Sequence, residues 1–268
     1  MRPTALARRF RPGTTITLSL LFTFALAAAV RADGGGSQAG DESSSGGWVV
    51  LVGPEGARGW KTFPVGWQEV GAAYLNAGNL KSLAATSGKG VVYNGRLGRA
   101  PNLVSAEEFG DVEAHVEFLV PRGSNSGVKF EGVYEVQIFD SYGVKTPTAS
   151  DNGGVYPRAE LLPKYHHIDD GYPPRVNGSR PPGEWQTLDV VFRAPKFDAD
   201  GKKVADARFD TIVLNGQVVH EGLSLPCPTG HAWRRKEEPK GPILLQGDHG
   251  PVAFRNVRVR PLKSGGAD

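Results

Sequence analysis

The stretch Tyr134-Glu135-Val136-Gln137-Ile138-Phe139 alternates apolar residues with polar ones. Successive residues of a β-strand point to opposite faces of a sheet. The alternation therefore predicts a strand that buries Val136 and Ile138 and places Glu135 and Gln137 together on the other face.

Similar patterns recur through most of the chain, separated by Gly, Pro, Asn and Asp. Asn215-Gly216 lies between two such segments and is a dipeptide that two-residue hairpin turns prefer. Short strands with turn signals between them predict an all-β antiparallel sandwich or jelly roll. No window is a convincing amphipathic helix, although residues 105–110 and 158–165 could each form a turn or two. The predicted strands are residues 48–52, 90–93, 112–120, 127–130, 134–139, 185–192, 207–214, 217–220, 243–246 and 252–260.

Polar residues share the face opposite the predicted core in several of these strands. In residues 112–118 every second residue is apolar and is expected to face the core, which places His115 and Glu117 on the opposite face. With Glu135, Gln137 and Gln246 they predict a polar face on one sheet. Antiparallel sheets routinely have such a solvated face. Amides, carboxylates and histidine near Trp and Tyr instead favour a concave surface for sugar hydroxyls and ring faces.

The N-terminal residues have the three parts of a secretory signal. An apolar run spans residues 16–30, and Val30-Arg31-Ala32 offers small residues for cleavage. This run is shorter than the roughly 20 apolar residues that a membrane anchor needs. We expect a signal peptide over residues 1–32 and export to the periplasm or the medium, by the Sec or the Tat route. The basic residues before the apolar run are Arg2, Arg8, Arg9 and Arg11.

The rest of the chain divides by composition. Residues 33–47 are rich in Gly and Ser and predict a flexible linker. Residues 48–262 have the length of one β-sandwich domain, and residues 263–268 are expected to be a disordered tail.

Charge and cysteine content limit the classes of partner and of covalent cross-link that the chain can have. Cleavage after Ala32 would remove five of the 31 basic residues and none of the 28 acidic ones, which changes the formal charge from +3 to −2. The basic excess therefore belongs to the signal, which argues against a nucleic-acid partner. No stable membrane insertion is expected after cleavage. Cys227 is the single cysteine, so an internal disulfide is excluded.

Several motifs occur in a characteristic order. They include Asn125-Ser126-Gly127-Val128, the stretch from Tyr134 to Ser141, and Leu245-Gln246-Gly247-Asp248-His249-Gly250-Pro251-Val252, which continues to Phe254-Arg255-Asn256-Val257. With His115-Val116-Glu117-Phe118 and Gly183-Glu184-Trp185-Gln186, they resemble a bacterial family associated with 3-keto-disaccharide hydrolase, 3-keto-glucoside 1,2-lyase and 3-keto-2-hydroxy-glucal hydratase activity. The resemblance extends from Trp48 to Leu262 and implies a concanavalin A-like lectin/glucanase jelly roll.

The resemblance also implies a reaction on a carbohydrate. A sugar already oxidised to a ketone at C3 would lose its aglycone, because the ketone acidifies the C2 proton and permits β-elimination of the C1 oxygen. Water can then add to the resulting enone. Such chemistry needs a base near C2, an electrophile on the ketone oxygen and an acid for the leaving group.

Residue by residue, Glu135 is the expected general base or metal ligand, and His249 its acid/base partner. Asn125, Gln137 and Gln246 are the expected hydrogen-bonding residues for the substrate.

A second set of substrate-binding candidates comprises Glu117, His115 and Arg255, and a structural role is the alternative for Arg255. The long segment of residues 142–182 exceeds an ordinary loop and is expected to form a rim of the cleft.

No cofactor is certain, but a divalent metal ion is a possibility, with Glu135, Asp140 and His249 as candidate ligands. The pair His166-His167 is a further candidate, although no spacing matches a known metal motif. For Asp140 a structural hydrogen bond to a loop is the alternative.

Two other functions compete with the elimination. A non-catalytic lectin-like module would use the same fold. An ordinary glycosidase is disfavoured, since it would place two carboxylates on one strand, whereas this strand has Glu135, Gln137 and Phe139.

Overall fold

The computed structural model describes residues 47–262. The predicted signal peptide, all but the last residue of the predicted linker, and the predicted tail lie outside these residues and stay predictions.

Seventeen strands and no helix occur among the described residues. They are β1 (Val49–Gly53), β2 (Gly56–Ala57), β3 (Gln68–Leu75), β4 (Leu83–Tyr93), β5 (Leu103–Phe109), β6 (Val112–Leu119), β7 (Asn125–Phe130), β8 (Tyr134–Phe139), β9 (Ala159–Glu160), β10 (His166–His167), β11 (Gln186–Arg193), β12 (Lys196–Phe197), β13 (Lys203–Ala205), β14 (Ala207–Leu214), β15 (Gln217–Leu225), β16 (Gly241–Leu245) and β17 (Ala253–Pro261).

Two antiparallel sheets dominate the fold. The larger has nine strands in the order β15-β14-β11-β6-β17-β1-β2, with β4 also paired to β17 and β3 paired to β4. The smaller has four strands in the order β5-β16-β7-β8. Two further pairs, β9 with β10 and β12 with β13, lie in the connections. The predicted all-β jelly-roll sandwich is confirmed.

Aromatic residues join the two sheets in the core. Phe130 of β7 lies 5.2 Å from Phe192 of β11 and 5.5 Å from Phe209 of β14, measured between ring centroids. All three side chains are fully buried. Each aromatic pair contributes about 0.5–1.5 kcal/mol beyond the area it buries. The cluster therefore fixes which face of the small sheet points inward.

The hairpin prediction at Asn215-Gly216 is confirmed. The dipeptide joins β14 to β15, and φ is 51° at Asn215 and 80° at Gly216. Positive φ at both positions is the requirement of a type I′ turn.

Three expectations about local structure and topology are wrong. Residues 105–110 lie mostly in β5, and residues 158–165 contain β9 and irregular chain, so neither forms a helical turn. The β3 strand was missed because its Gly and Ala residues give a weak apolar pattern. Finally, the predicted polar face does not lie on one sheet, because β6 belongs to the large sheet and β8 to the small one.

No helix within residues 47–262 is long and apolar enough to cross a membrane.

The turn between β7 and β8 contains a buried acid. Glu131 has φ 53°, and neither of its carboxyl oxygens has a hydrogen-bond partner among the described residues. Burial, followed by the nearby charge of Glu237, raises the pKa of Glu131 to about 8. A buried group of this kind favours its neutral, protonated form.

Stability should therefore fall as the pH rises. The pKa of Glu131 is higher in the folded protein than in the unfolded chain. The contribution of its protonation to the free energy of unfolding is therefore complete below about pH 4.5 and is lost progressively up to about pH 8. The loss is at most about 1.4 kcal/mol for each pH unit. Glu131→Gln should flatten this dependence in urea unfolding at pH 5, 7 and 9. The exposed Glu107→Gln is the control, and equal slopes in both variants would contradict the assignment.

Candidate active site

A cavity of about 330 Å³ lies over the outer face of the four-stranded sheet. It is lined by Asn125, Lys129, Glu135, Gln137, Tyr156, Tyr165, Gly230, His231, Gln246 and His249.

Strand geometry assembles the floor of this cavity. In the antiparallel pair of β7 and β8, Lys129 stands opposite Glu135, and Gly127 stands opposite Gln137. Because side chains alternate, these residues share the face that points away from the buried Val136.

An ion pair forms the charged centre of the floor. The Lys129 Nζ lies 2.8 Å from Glu135 Oε2, and the two side chains are only 12% and 5% exposed. Thr229 adds a second constraint, because its Oγ1 accepts a hydrogen bond of 2.9 Å from the Glu135 backbone N–H. The carboxylate is therefore held in one place, next to a cation that has further donors to offer.

Gly127 leaves room for this carboxylate. A Cβ atom at position 127 would lie 2.5 Å from Glu135 Oε1. Any larger residue would push the carboxylate out of its position over the strand.

Two amide side chains present acceptors to the cavity. Gln137 donates through Nε2 to the Ser150 carbonyl at 3.1 Å, which fixes its orientation. Its Oε1 has no hydrogen-bond partner among the described residues, and neither has Asn125 Oδ1. Buried polar atoms are rarely left unpaired, so both oxygens suit the hydroxyl donors of a ligand.

The segment that contains Tyr156 and Tyr165 covers the floor as a roof, and it is anchored to the free edge of β8. The Gln137 N–H donates to the Gly154 carbonyl at 2.8 Å, and the Tyr156 N–H donates to the Glu135 carbonyl at 3.1 Å. The segment around residues 153–156 thus follows the strand that carries the floor residues.

Aromatic side chains of this roof form a hydrogen-bonded group. The hydroxyl of Tyr156 lies 3.0 Å from that of Tyr165 and 3.1 Å from His167 Nε2. Burial, with the bond to Tyr156, raises the pKa of Tyr165 well above its usual value. Its phenol therefore stays protonated at neutral pH and remains a donor.

His231 comes from the segment between β15 and β16. Partial desolvation and then the positive charges of Lys129 and Arg235 lower the pKa of His231 below its ordinary value. The imidazole is therefore neutral at neutral pH and offers one ring nitrogen as an acceptor.

The loop that carries His249 is clamped by Asn94. This buried amide donates to the carbonyls of Gly247 and Gly250 at 2.9 and 2.8 Å and accepts from the Val252 N–H at 2.7 Å. His249 itself is exposed, with Nδ1 2.6 Å from Asp248 Oδ1. An ionised carboxylate only accepts, so this contact assigns a proton to Nδ1.

The structure brings five predicted site residues into one cavity: Asn125, Glu135, Gln137, Gln246 and His249. Sequence reasoning assigned no role to Lys129 or His231 and placed Tyr156 and Tyr165 only in a rim segment. Lys129 shares its strand parity with Asn125 and Gly127, and that alternation was the signal available.

The other three candidates lie elsewhere. His115, Glu117 and Arg255 belong to β6 and β17 of the large sheet, on its outward face. The placement differs from the prediction because alternation tells which side of a strand is polar, and not in which sheet the strand pairs. His115 Nδ1 contacts Asp189 there at 2.6 Å, and Arg255 Nε donates to Glu117 at 2.7 Å.

The candidate metal ligands are not gathered into one group. Asp140 Oδ2 accepts a hydrogen bond of 2.9 Å from the Gly123 N–H, which is the structural role considered for it. His167 contacts Tyr156, and Glu135 pairs with Lys129. Over residues 47–262, no three His, Cys, Asp or Glu side chains lie in an arrangement suited to a metal ion.

Comparison with known families identifies the chain. The model of the 3-keto-alpha-glucoside-1,2-lyase-like domain matches residues 47–260. The chain belongs to this family. The match covers all of the sandwich except the last residue of β17, and it includes every residue that lines the cavity.

Solved structures agree on the fold. One crystal structure of a proposed glycosyl hydrolase from Parabacteroides distasonis is 25% identical, with a TM-score of 0.58 over 81% of this chain and 84% of that one. A second from the same organism is 20% identical, with a TM-score of 0.50 over 80% and 99% of the two chains. No functionally curated protein shows significant similarity to the chain.

The space above Gly127 provides a test of the floor. Gly127→Ala should lower the free energy of unfolding by about 1–3 kcal/mol, since overpacking displaces the Glu135 carboxylate from Lys129. Urea unfolding measures the loss, and a crystal structure shows the displaced side chain.

Gly78→Ala is the matched control, because Gly78 is exposed and its added Cβ would meet only Asn76 Oδ1, at 3.4 Å. Unchanged stability of Gly127→Ala would contradict the close approach.

Proposed function

We propose that the protein cleaves 3-keto-glycosides by removing the C2 proton and eliminating the aglycone from C1. The observation that carries this proposal is the Lys129–Glu135 pair on the cavity floor. The acidic C–H and the carbonyl oxygen of a ketone lie on neighbouring atoms, so the reaction needs a base and a cation side by side.

The two carboxylate oxygens of Glu135 have different roles in the proposed reaction. Oε2 holds Lys129, while Oε1 lies over Gly127 and is available to the C2 proton. Proton removal leaves negative charge on the C3 oxygen. The Lys129 ammonium and the protonated Tyr165 hydroxyl can stabilise that charge, because preorganised donors act strongly in a shielded site.

Elimination then completes the step. The electron pair returns from the C3 oxygen, the C1–C2 double bond forms, and the C1–O bond breaks. His249 in its imidazolium form is the proposed acid: Asp248 holds the Nδ1–H, and the Nε2–H gives its proton to the departing oxygen. The products are the free aglycone and a 3-keto-2-hydroxy-glucal, to which water can add. Asn125 and Gln137 would bind hydroxyls of the ring.

The count of carboxylates distinguishes this reaction from ordinary glycoside hydrolysis. Glu135 is the single carboxylate that lines the cavity among the described residues. Direct displacement at C1 ordinarily uses two carboxyl groups that flank the bond. Elimination from a ketone needs one base, which the cavity has.

The proposal includes a location outside the cytoplasm. It is supported by the basic residues, apolar run and small-residue site within residues 1–32. N-terminal sequencing of the protein purified from its native host tests this directly. Retention of residue 1 in the purified chain would contradict it.

Activity should depend on both members of the floor pair. The purified protein is incubated with an aryl 3-keto-glucoside, and release of the phenol and enone absorbance are followed. Glu135→Gln should lower kcat by roughly 10²–10⁴-fold, the usual contribution of a general base. Lys129→Met should also lower kcat, because the charge on the C3 oxygen loses its cation.

The exposed Glu107→Gln and Lys81→Met are matched controls and should retain full activity. Absence of turnover by the wild type, with and without divalent metal, would overturn the proposal. Saturable sugar binding in that case would assign a lectin-like module. Full activity of Glu135→Gln would overturn the role of the carboxylate.

A further inference from the structure

A groove of about 460 Å³ lies on the large sheet, on the opposite side of the sandwich from the cavity. Its lining includes Gly71, Ala72 and Gly90 from β3 and β4, where little side chain covers the backbone. Trp185 and Arg255 also line it. Its volume falls within the range of small-molecule sites, roughly 300–1,000 Å³.

A bulge in β17 shapes one wall of this groove. Arg255 pairs with Glu117 and Arg258 with His115, so β17 has one residue more than β6 between these points. Asn256 takes φ 46° in this bulge. The extra residue leaves Arg255 and Asn256 both half-exposed, although a regular strand would turn consecutive side chains to opposite faces.

Asn tolerates positive φ better than other residues with a side chain, because its short amide can hydrogen-bond locally. The residue at this position therefore suits the bulge that places two polar side chains side by side. The opposite wall has a second irregularity, between Val70 and Ala72 of β3.

The hydrogen bonds of the wall leave donors of Arg255 unused. Both oxygens of Glu117 are occupied, one by Arg255 Nε at 2.7 Å and the other by Asn256 Nδ2 at 2.9 Å. The Arg255 guanidinium lies over the Trp185 ring, 4.1 Å from its centroid. Its terminal nitrogens have no hydrogen-bond partner among the described residues, and the side chain is 42% exposed.

Lys89 adds a second positive charge. It lines the groove, is exposed, and has no carboxylate within ion-pair distance among residues 47–262. Among residues 47–262, no Asp or Glu side chain lines the groove. Lys89 therefore faces the groove without a counter-charge among the described residues, whereas Arg255 is paired with Glu117 through Nε and presents its terminal nitrogens to the groove.

The geometry points to a second binding site, which takes a carboxylate-bearing sugar such as a uronate residue of an acidic glycan. The guanidinium is held in a fixed plane by Trp185 and Glu117, and a planar fork of donors matches a planar carboxylate. Asn256 Oδ1 and the backbone groups beside Gly71 and Gly90 remain for sugar hydroxyls. Occupancy of this site does not block the cavity, because the two lie on opposite outer faces.

Titration with methyl glucuronoside, followed by calorimetry or amide NMR shifts, tests the site. We expect saturable binding, weaker binding of methyl glucoside, and loss of affinity in Ala72→Glu, which introduces a like charge beside the ligand. Lys89→Gln should weaken binding about threefold to fivefold, as expected for a half-solvated charge pair. Lys81→Gln, an exposed lysine outside the groove, is the matched control.

Each outcome bears on the inference. Binding unchanged in Ala72→Glu and Lys89→Gln overturns it, and so does binding lost in Lys129→Met alone, which would place the sugar in the cavity. Inorganic phosphate that binds as tightly as the glucuronoside overturns the assignment to a sugar. Turnover of 3-keto-glycosides by Lys89→Gln should be unchanged, so the result stands apart from that of the proposed reaction.

Discussion

The ion pair between Lys129 and Glu135 is the constraint on which the site depends. Two charges removed from water lose hydration worth several kcal/mol each, and their attraction returns this only with good geometry. Apolar residues of similar size would often serve stability as well. The surroundings agree with a role of the pair in the proposed reaction: Gly127 leaves space for the carboxylate, Thr229 fixes its backbone, and the two side chains are only 12% and 5% exposed.

The two faces of the small sheet have separate tasks. Phe130, Val136 and Ile138 bind the sheet to the large one through the common core. The other face holds charges and amides that a hydrophobic core would reject. Segments from distant parts of the chain converge over it, and each is fixed by backbone or buried amide bonds, as Asn94 fixes the His249 loop. Rigid support of this kind would keep the proposed reactive groups at a fixed separation.

The large sheet uses its outer face differently. There His115, Glu117 and Arg255 pair with neighbours across strands and with Trp185, and a bulge at Asn256 exposes part of the network. The sandwich therefore has two polar surfaces of unlike character. One centres on a shielded carboxylate and ammonium pair, and the other has an exposed Lys89 beside the half-exposed Arg255–Glu117 pair.

Much of the fold followed from local features of the chain. Alternation placed β8 at residues 134–139 and its polar pair on one face, and Asn215-Gly216 specified the turn, because side-chain direction and φ preference act within a few residues. Strand pairing was not local. Only the tertiary structure put β6 in the other sheet, set Lys129 opposite Glu135, and brought His231 and Tyr165 over them. These neighbours are separated by many residues, and their meeting depends on register and burial across the whole sandwich, which no single segment encodes.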